Sequence, residues 1–312
     1  VIITAAIWGL LVTAPFIWGM TPAIYQKLNS TDDYMRAVQI ADFLEDARNS
    51  SFRQDRLGPE WAPSEMHWTR LIDVPLAASV SVFRLLIEDF EHAVYWTATI
   101  MPAFLLLLLL LTVWWTARPL TGERTALLAI VIMALSWPML RQFMLGNLDH
   151  HAWQILLVLG SYGCLFRALA APQRIGMALA AGALLALGLG IGAEILPWLA
   201  MAALLQAWAW LLEGEKHLGG GLVFGATLFL ASVLLFFALR YPWEGFEPAC
   251  DVISPAFILY TAVIPAFWLA LYVFRDKLAT FKNKLFFASV SGLALVGVAA
   301  TLAPDCAQGI YA

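Results

Sequence analysis

A chain of 312 residues of which 62% are hydrophobic and 13% charged, with a net charge of -4, has too little polar surface to cover a soluble globule. Its mean hydropathy of +0.78 marks an integral membrane protein. So small and dilute a charge points to no nucleic-acid partner, and where the charges sit becomes the informative quantity.

Residues 1–20 form the first apolar segment. The chain opens at Val1 with no initiator Met, no charged n-region and no cleavage signature, so this segment is expected to be a span within a longer chain. A polar stretch from Thr21 to Glu91 follows and holds twelve of the 22 carboxylates. Within it, Ser30 or Thr31 can cap a helix carrying Asp32 and Asp33 in its first turn, which suits the positive end of the helix dipole. That helix is expected to run to about Asn49 on an apolar stripe of Met35, Val38, Ala41 and Leu44. Taken alone, the acid pair is accounted for by ordinary capping. A second amphipathic segment sets Leu76, Val80, Phe83, Ile87 and Phe90 against Arg84, Glu88, Asp89 and Glu91, and is expected to lie as a helix in the outer membrane interface.

Spans of the length needed to cross roughly 30 Å of hydrocarbon follow near 93–117, 125–140 and 152–169, and later near 219–239, 256–274 and 285–303. Between them the apolar run Ile175–Leu212 is too long for one helix, and Gly192, Glu194 and Pro197 near its middle offer a turn. Lys and Arg concentrate in short cytoplasmic loops. Read as a hairpin, the run gives nine spans with Arg118, Arg124, Arg167, Arg174, Lys216, Arg275, Lys277, Lys282 and Lys284 inside. Only Arg141 and Arg240 then fall in short outer loops, and the N-terminus is cytoplasmic. The expected fold is an all-α polytopic membrane protein, a single transmembrane domain over 1–312. Its outer loops lie at 21–91, 141–151 and 240–255, and any soluble C-terminal domain lies outside this sequence.

This topology gathers Asp32 and Asp33, the knot Asn147-Leu148-Asp149-His150-His151, Glu194 and the segment from Arg240 to Asp251 on the outer face. Cys250 and Cys306 also fall there, in an oxidising compartment, and are expected to pair, whereas Cys164 lies within a span. Asp149, His150 and His151 offer carboxylate oxygen and imidazole nitrogen to one divalent cation. Asp32 from the first loop can join Asp149 and His151, and Glu194 is a further candidate ligand, since an acid in a span is costly unless it serves a function.

One span, then a large outer loop opening Asp32-Asp33-Tyr34-Met35-Arg36, then Asp149-His150-His151 after the third span, resembles the GT-C membrane glycosyltransferases, above all the catalytic subunits of oligosaccharyltransferases. The stretches Met66–Leu76 and Cys250–Pro255 also resemble related proteobacterial membrane proteins. The resemblance implies that Asp32 matches the first-loop acid and Asp149 the second-loop acid of a divalent-metal site, with Mg²⁺ or Mn²⁺ foremost and Zn²⁺ next. The family's third acid, on a later loop, has Glu194, Glu244 and Glu247 as candidates. The Trp-Trp-Asp motif of sequon-glycosylating members is absent, because Trp114-Trp115 lies in a span and is followed by Thr116.

The activity implied is inverting transfer of a sugar or oligosaccharide from a polyprenyl-phosphate or polyprenyl-diphosphate donor to a glycan, lipid or protein acceptor. It would take place at the periplasmic face of a bacterial inner membrane. Asp32 or Asp33 is the expected general base or metal ligand, and Arg70, Arg141 and Arg240 are the expected donor-phosphate ligands. Tyr34, Arg36, His67, His150 and Glu244 complete the candidate site. The alternative is a transporter with Glu194 at a broken-helix coupling site, against which stand the lack of a repeat between the two halves and the gathering of acids at one face.

Overall fold

The structure is a computed structural model, described for residues 2–45, 53–54, 64–66, 68–240, 246 and 249–306. His67, Glu244, Glu247 and the expected helix end at 46–49 fall outside the described residues. Apart from two-residue strands β1 (Arg53–Gln54) and β2 (Ser64–Glu65), paired antiparallel, the regular structure among the described residues is helical. They form two compact units, one drawn from 1–50 and 70–159, the other from 51–69 and 160–312.

The first unit runs α1 (Ile2–Ile17), α2 (Pro22–Tyr25), α3 (Thr31–Glu45), α4 (Asp73–Arg84), α5 (Phe90–Thr121), α6 (Glu123–Leu135), α7 (Trp137–Gln142) and the start of α8 (His151–Ala170). Its organiser is α5, whose 32 residues make a rod about 48 Å long at 1.5 Å per residue. Asp89 caps it by accepting from the His92 amide at 2.7 Å. Gly122, at φ +81°, ends it. The helices α1, α2, α4 and α6 pack on it, burying Leu105, Leu106, Leu109 and Leu110 with Val12, Ile130 and Phe143.

Two expectations for the first loop change. The face of α3 that is buried is polar, Asp33, Arg36 and Gln39 with Ile40, whereas Leu44 of the apolar stripe is exposed. Hydrogen bonds and an ion pair, described below, decide that orientation. The second amphipathic helix stops at Arg84 rather than continuing to Glu91, since Asp89 serves as the cap that starts α5. A third change falls on the predicted span 125–140, which is broken at Ser136 into α6 and α7. Pro138, placed in the first turn of α7, has no N–H to continue the preceding helix.

The second unit contains the end of α8, then α9 (Ile175–Ile191), α10 (Leu196–Glu213), α11 (Leu218–Leu239), α12 (Pro255–Val273) and α13 (Phe281–Leu302). The long apolar run divides where expected, at Gly192–Ile195. Glycines let α9, α11 and α12 meet backbone to backbone: a Cβ on Gly182 would lie 2.5 Å from the Phe224 carbonyl, and one on Gly225 2.9 Å from the Pro265 nitrogen. Cys250 and Cys306 are bonded, their Cα atoms 4.9 Å apart.

Seven helical segments are long and apolar enough to cross a membrane: 2–25, 90–121, 151–170, 193–213, 215–239, 255–273 and 281–302. The 17 residues of α9 and the 13 of α6 are shorter. The chain is thus a multi-pass membrane protein with seven helices of full crossing length among its described residues, against nine expected spans.

Candidate functional site

The site starts from a missing hydrogen. Pro102, inside α5, has no N–H to give the Ala98 carbonyl four residues back, and the Gly146 amide takes that place at 2.8 Å. The loop between α7 and α8 is thereby pinned to α5. Gly146 has φ +105°, and a Cβ there would come within 2.7 Å of the Asn29 side chain. Asn29 in turn donates through Nδ2 to the Leu145 carbonyl at 2.9 Å and to Asn147 Oδ1 at 2.6 Å. Asn147 donates to the Arg141 carbonyl at 2.8 Å. First and second loops are laced together before any acid is considered.

Asp33 completes the lacing. Its Oδ1 accepts from the Leu148 amide at 2.7 Å and the Asp149 amide at 3.2 Å, and its Oδ2 accepts from the Ser30 hydroxyl at 2.6 Å. Ser30 also accepts from the Asp33 amide, closing the cap of α3. Burial pushes the Asp33 carboxyl above its ordinary value, against the opposing effect of the Ser30 and Leu148 hydrogen bonds. With 1% of its surface exposed and both oxygens committed, Asp33 is a positioning residue rather than a free base. The adjacent Asp32 is exposed.

Asp149 is the acid that Asp33 positions. His150 approaches its Oδ1 through both the backbone amide and Nδ1, each at 2.6 Å. His151 Nε2 lies 3.5 Å from its Oδ2. Burial acts to raise the Asp149 carboxyl, but the hydrogen bonds and charge of His150, with the charge of His151, outweigh it and hold the group well below the usual carboxylate range. One ligand atom from each of Asp149, His150 and His151 falls within 4.8 Å of the others. Two ligands at about 2.1 Å from one ion at a near-tetrahedral angle stand about 3.4 Å apart, which the Asp149 Oδ2 to His151 Nε2 distance of 3.5 Å matches. His150, nearly buried and bonded to the other oxygen, fits the part of a group that orients the ligand.

One turn along α3 from Asp33, Arg36 pairs with Asp73 at 2.8 Å, both side chains fully buried. Arg70 lies against the same carboxylate, Nε 3.9 Å from Asp73 Oδ2. This cluster braces α3 on α4 and the turn before it. Among the other candidates in this unit, the Tyr34 hydroxyl accepts from the Leu28 amide at 3.2 Å, and Arg141 stands exposed at the end of α7. In the second unit, Glu194 occupies the break between α9 and α10, half-buried, and Arg240 is buried at the end of α11. Backbone groups at that break and at the end of α9 before it are bonded within the protein: the Ile191 and Gly190 carbonyls accept from the Thr69 amide and hydroxyl, and the Ala193 amide donates to the Asp251 carbonyl.

Sequence reasoning passed over Asn29, Gly146 and Pro102 as site residues, and took Asn147 only as the first residue of the second polar knot. The signal lay in Pro102, since a proline within an otherwise unbroken apolar helix frees a carbonyl that some other group must satisfy.

Solved structures share this helical membrane fold. No model of a known protein family matches the chain, and no curated protein matches it in sequence. It is similar to the archaeal oligosaccharyltransferase AglB from Archaeoglobus fulgidus, solved in complex with an inhibitory peptide and a dolichol-phosphate. That match has a TM-score of 0.70 and 17% identity over 96% of this chain and 36% of that one. The apo form of the Archaeoglobus fulgidus oligosaccharyltransferase matches with a TM-score of 0.70 and 16% identity, over 99% of this chain and 38% of the other. At such identity the likeness is one of fold, and the fold is that of the oligosaccharyltransferases the sequence resembles. The chain spans somewhat over a third of the length of these proteins.

Proposed function

We propose that this chain is the membrane part of an inverting glycosyltransferase that takes a sugar or oligosaccharide from a polyprenyl-phosphate or polyprenyl-diphosphate donor to a glycan, lipid or protein acceptor. The observation that carries the reading is the Asp149, His150 and His151 cluster, held to the first loop by Asp33, within an oligosaccharyltransferase-like fold. The reading extends to nine spans in one domain, a bacterial inner membrane and a periplasmic active site, supported by the placement of Lys and Arg.

In this reading Asp149 and His151 would hold a divalent ion, with His150 fixing the Asp149 carboxylate, and Asp32 is either a further ligand or the base beside it. Mixed oxygen and nitrogen donors favour Mn²⁺ or Zn²⁺ over Mg²⁺. Such an ion supplies Lewis-acid stabilisation of charge on the donor phosphate. Asp32, exposed and without a hydrogen bond or ion pair among the described residues, takes the proton from the acceptor hydroxyl or amide. The acceptor atom bonds to the sugar's anomeric carbon from the face opposite the leaving group. The bond from that carbon to the phosphate oxygen breaks, and the electron pair leaves with the polyprenyl phosphate. Arg141 and Arg70 are the cations for that phosphate.

The test is calorimetric titration of Mn²⁺ into EDTA-stripped protein in nanodiscs, at a pH where histidines are neutral. Wild type is expected to bind and Asp149→Ala to lose binding. Loss in Asp32→Ala as well makes Asp32 a ligand, whereas retained binding leaves it the base. Absence of binding in wild type removes the metal site. A transporter is disfavoured by the junction of α9 and α10, where the Gly190 and Ile191 carbonyls are taken up by Thr69 and the Ala193 amide by Asp251 rather than left to line an ion path.

A further inference from the structure

Beside the laced loops, the first unit contains an open cavity of about 550 Å³ that the reaction above does not use. Its walls are apolar, with Leu11 and Val12 from α1, Leu106 from α5, and Leu140 and Phe143 from α7 and the residue after it. Met20, 59% exposed, stands on its edge. As α1 and α5 belong to segments long and apolar enough to span, such a groove faces hydrocarbon. A peptide would bring backbone N–H and C=O groups against walls that cannot satisfy them. A hydrocarbon chain needs no partners, and the volume lies in the range of single-ligand pockets.

The polar end of the groove is neutral. Tyr25 and Asn29 line it, and no lining residue is charged. Both Asn29 donor hydrogens are engaged with Leu145 and Asn147, and its Oδ1 accepts from the Tyr25 hydroxyl at a long 3.5 Å, a contact that a ligand hydroxyl can replace or share. A hydroxyl donor and an amide acceptor suit a head group rich in hydroxyls, whereas a phosphate calls for cations. Asn29 is also three residues before the exposed Asp32, at most about 10 Å of chain, so a head leaving the groove at Asn29 emerges beside the proposed base.

We propose that this groove holds the hydrocarbon chain of the acceptor, which is therefore an uncharged glycolipid presenting a hydroxyl toward Asp32. The inference rests on the transferase reading and names its acceptor class.

The test uses two photoreactive probes on the protein in nanodiscs of phosphatidylethanolamine and phosphatidylglycerol. One is a dodecyl glucoside with a diazirine at the end of its chain, the other a diazirine-bearing isoprenyl phosphate, and labelled sites are mapped by mass spectrometry. The glucoside is expected to label peptides containing Leu11, Leu106 and Leu140. That labelling is expected to be lost in Leu106→Trp, which fills the groove, and weakened in Tyr25→Phe. Mn²⁺ binding retained by Leu106→Trp shows the loops intact, and Leu11→Trp on the opposite wall supplies a second filling variant should the first misfold. Two results overturn the proposal: preferential labelling of the groove by the isoprenyl phosphate, which makes it a donor site, or glucoside labelling no stronger than on the lipid-exposed α13 and indifferent to Leu106→Trp. Failure of Mn²⁺ binding in wild type with groove labelling intact would instead sink the transferase reading and leave a lipid site.

Discussion

Replacing Asp33 by alanine is the sharpest perturbation of this arrangement, because one buried carboxylate carries the register between two loops. Alanine removes the acceptor of the Leu148 and Asp149 amides and of the Ser30 hydroxyl. Hydrogen bonds to a charged group contribute about 1.5–3 kcal/mol each, and a buried donor left unsatisfied costs about 1–3 kcal/mol. Leu148 is buried, so its amide has no water to turn to and the loop must shift to satisfy it. Asp149 and His151 then lose their 3.5 Å spacing. Loss of partners that orient metal ligands weakens metal binding by about ten- to a hundredfold, or about 1.4–2.7 kcal/mol. Asp33→Asn keeps one oxygen for the two amides and is expected to lose less. The assay is Mn²⁺ calorimetry on both variants beside wild type, with thermal melting to confirm folding. Wild-type affinity in a folded Asp33→Ala protein would refute the positioning role.

Three other outcomes are expected. Gly221→Ala drives a Cβ into the buried ring of Trp268, an overpacking expected to cost about 1–3 kcal/mol and to lower Tm; an unchanged Tm would show that α11 and α12 separate easily. Arg36→Met leaves Asp73 buried without its 2.8 Å partner, expected to cost about 3–5 kcal/mol, with Arg36→Met/Asp73→Leu recovering part of the loss in the same melting assay. The third concerns pH. Hydrogen bonds from His92 lower the Asp89 carboxyl below its ordinary value, so its cap on α5 is present above the unfolded value and is lost as pH falls through the lower folded one. Amide exchange at His92 is expected to accelerate as pH drops below about 4, beyond the intrinsic pH dependence of exchange. Asp89→Asn should lack that excess, and an identical profile in the variant would remove the cap from the account.

Composition and the spacing of apolar runs determined a great deal by themselves. Membrane class follows from length and hydropathy because a span must satisfy its backbone internally. The same logic placed the break at Gly192–Ile195, which α9 and α10 confirm. Cys250 and Cys306 were paired from topology alone, and they are bonded. Asp149, His150 and His151 stand together in sequence, so their closeness needed no fold.

What lies far apart in sequence was decided by tertiary structure. Periodicity gave α3 an apolar stripe, yet Asp33 and Arg36 face inward, because two amides 115 and 116 residues away and an acid on α4 satisfy them. Pattern arguments count apolar residues and cannot see a partner that cancels the cost of burying a charge. The same blindness left Asp32 and Asp33 interchangeable in sequence, while the fold makes one of them exposed and commits the other to the second loop. Pro102 looked like one more residue of an apolar span until the Gly146 amide was found on the carbonyl it freed. A sequence lists donors and acceptors, and only the folded chain shows which of them meet.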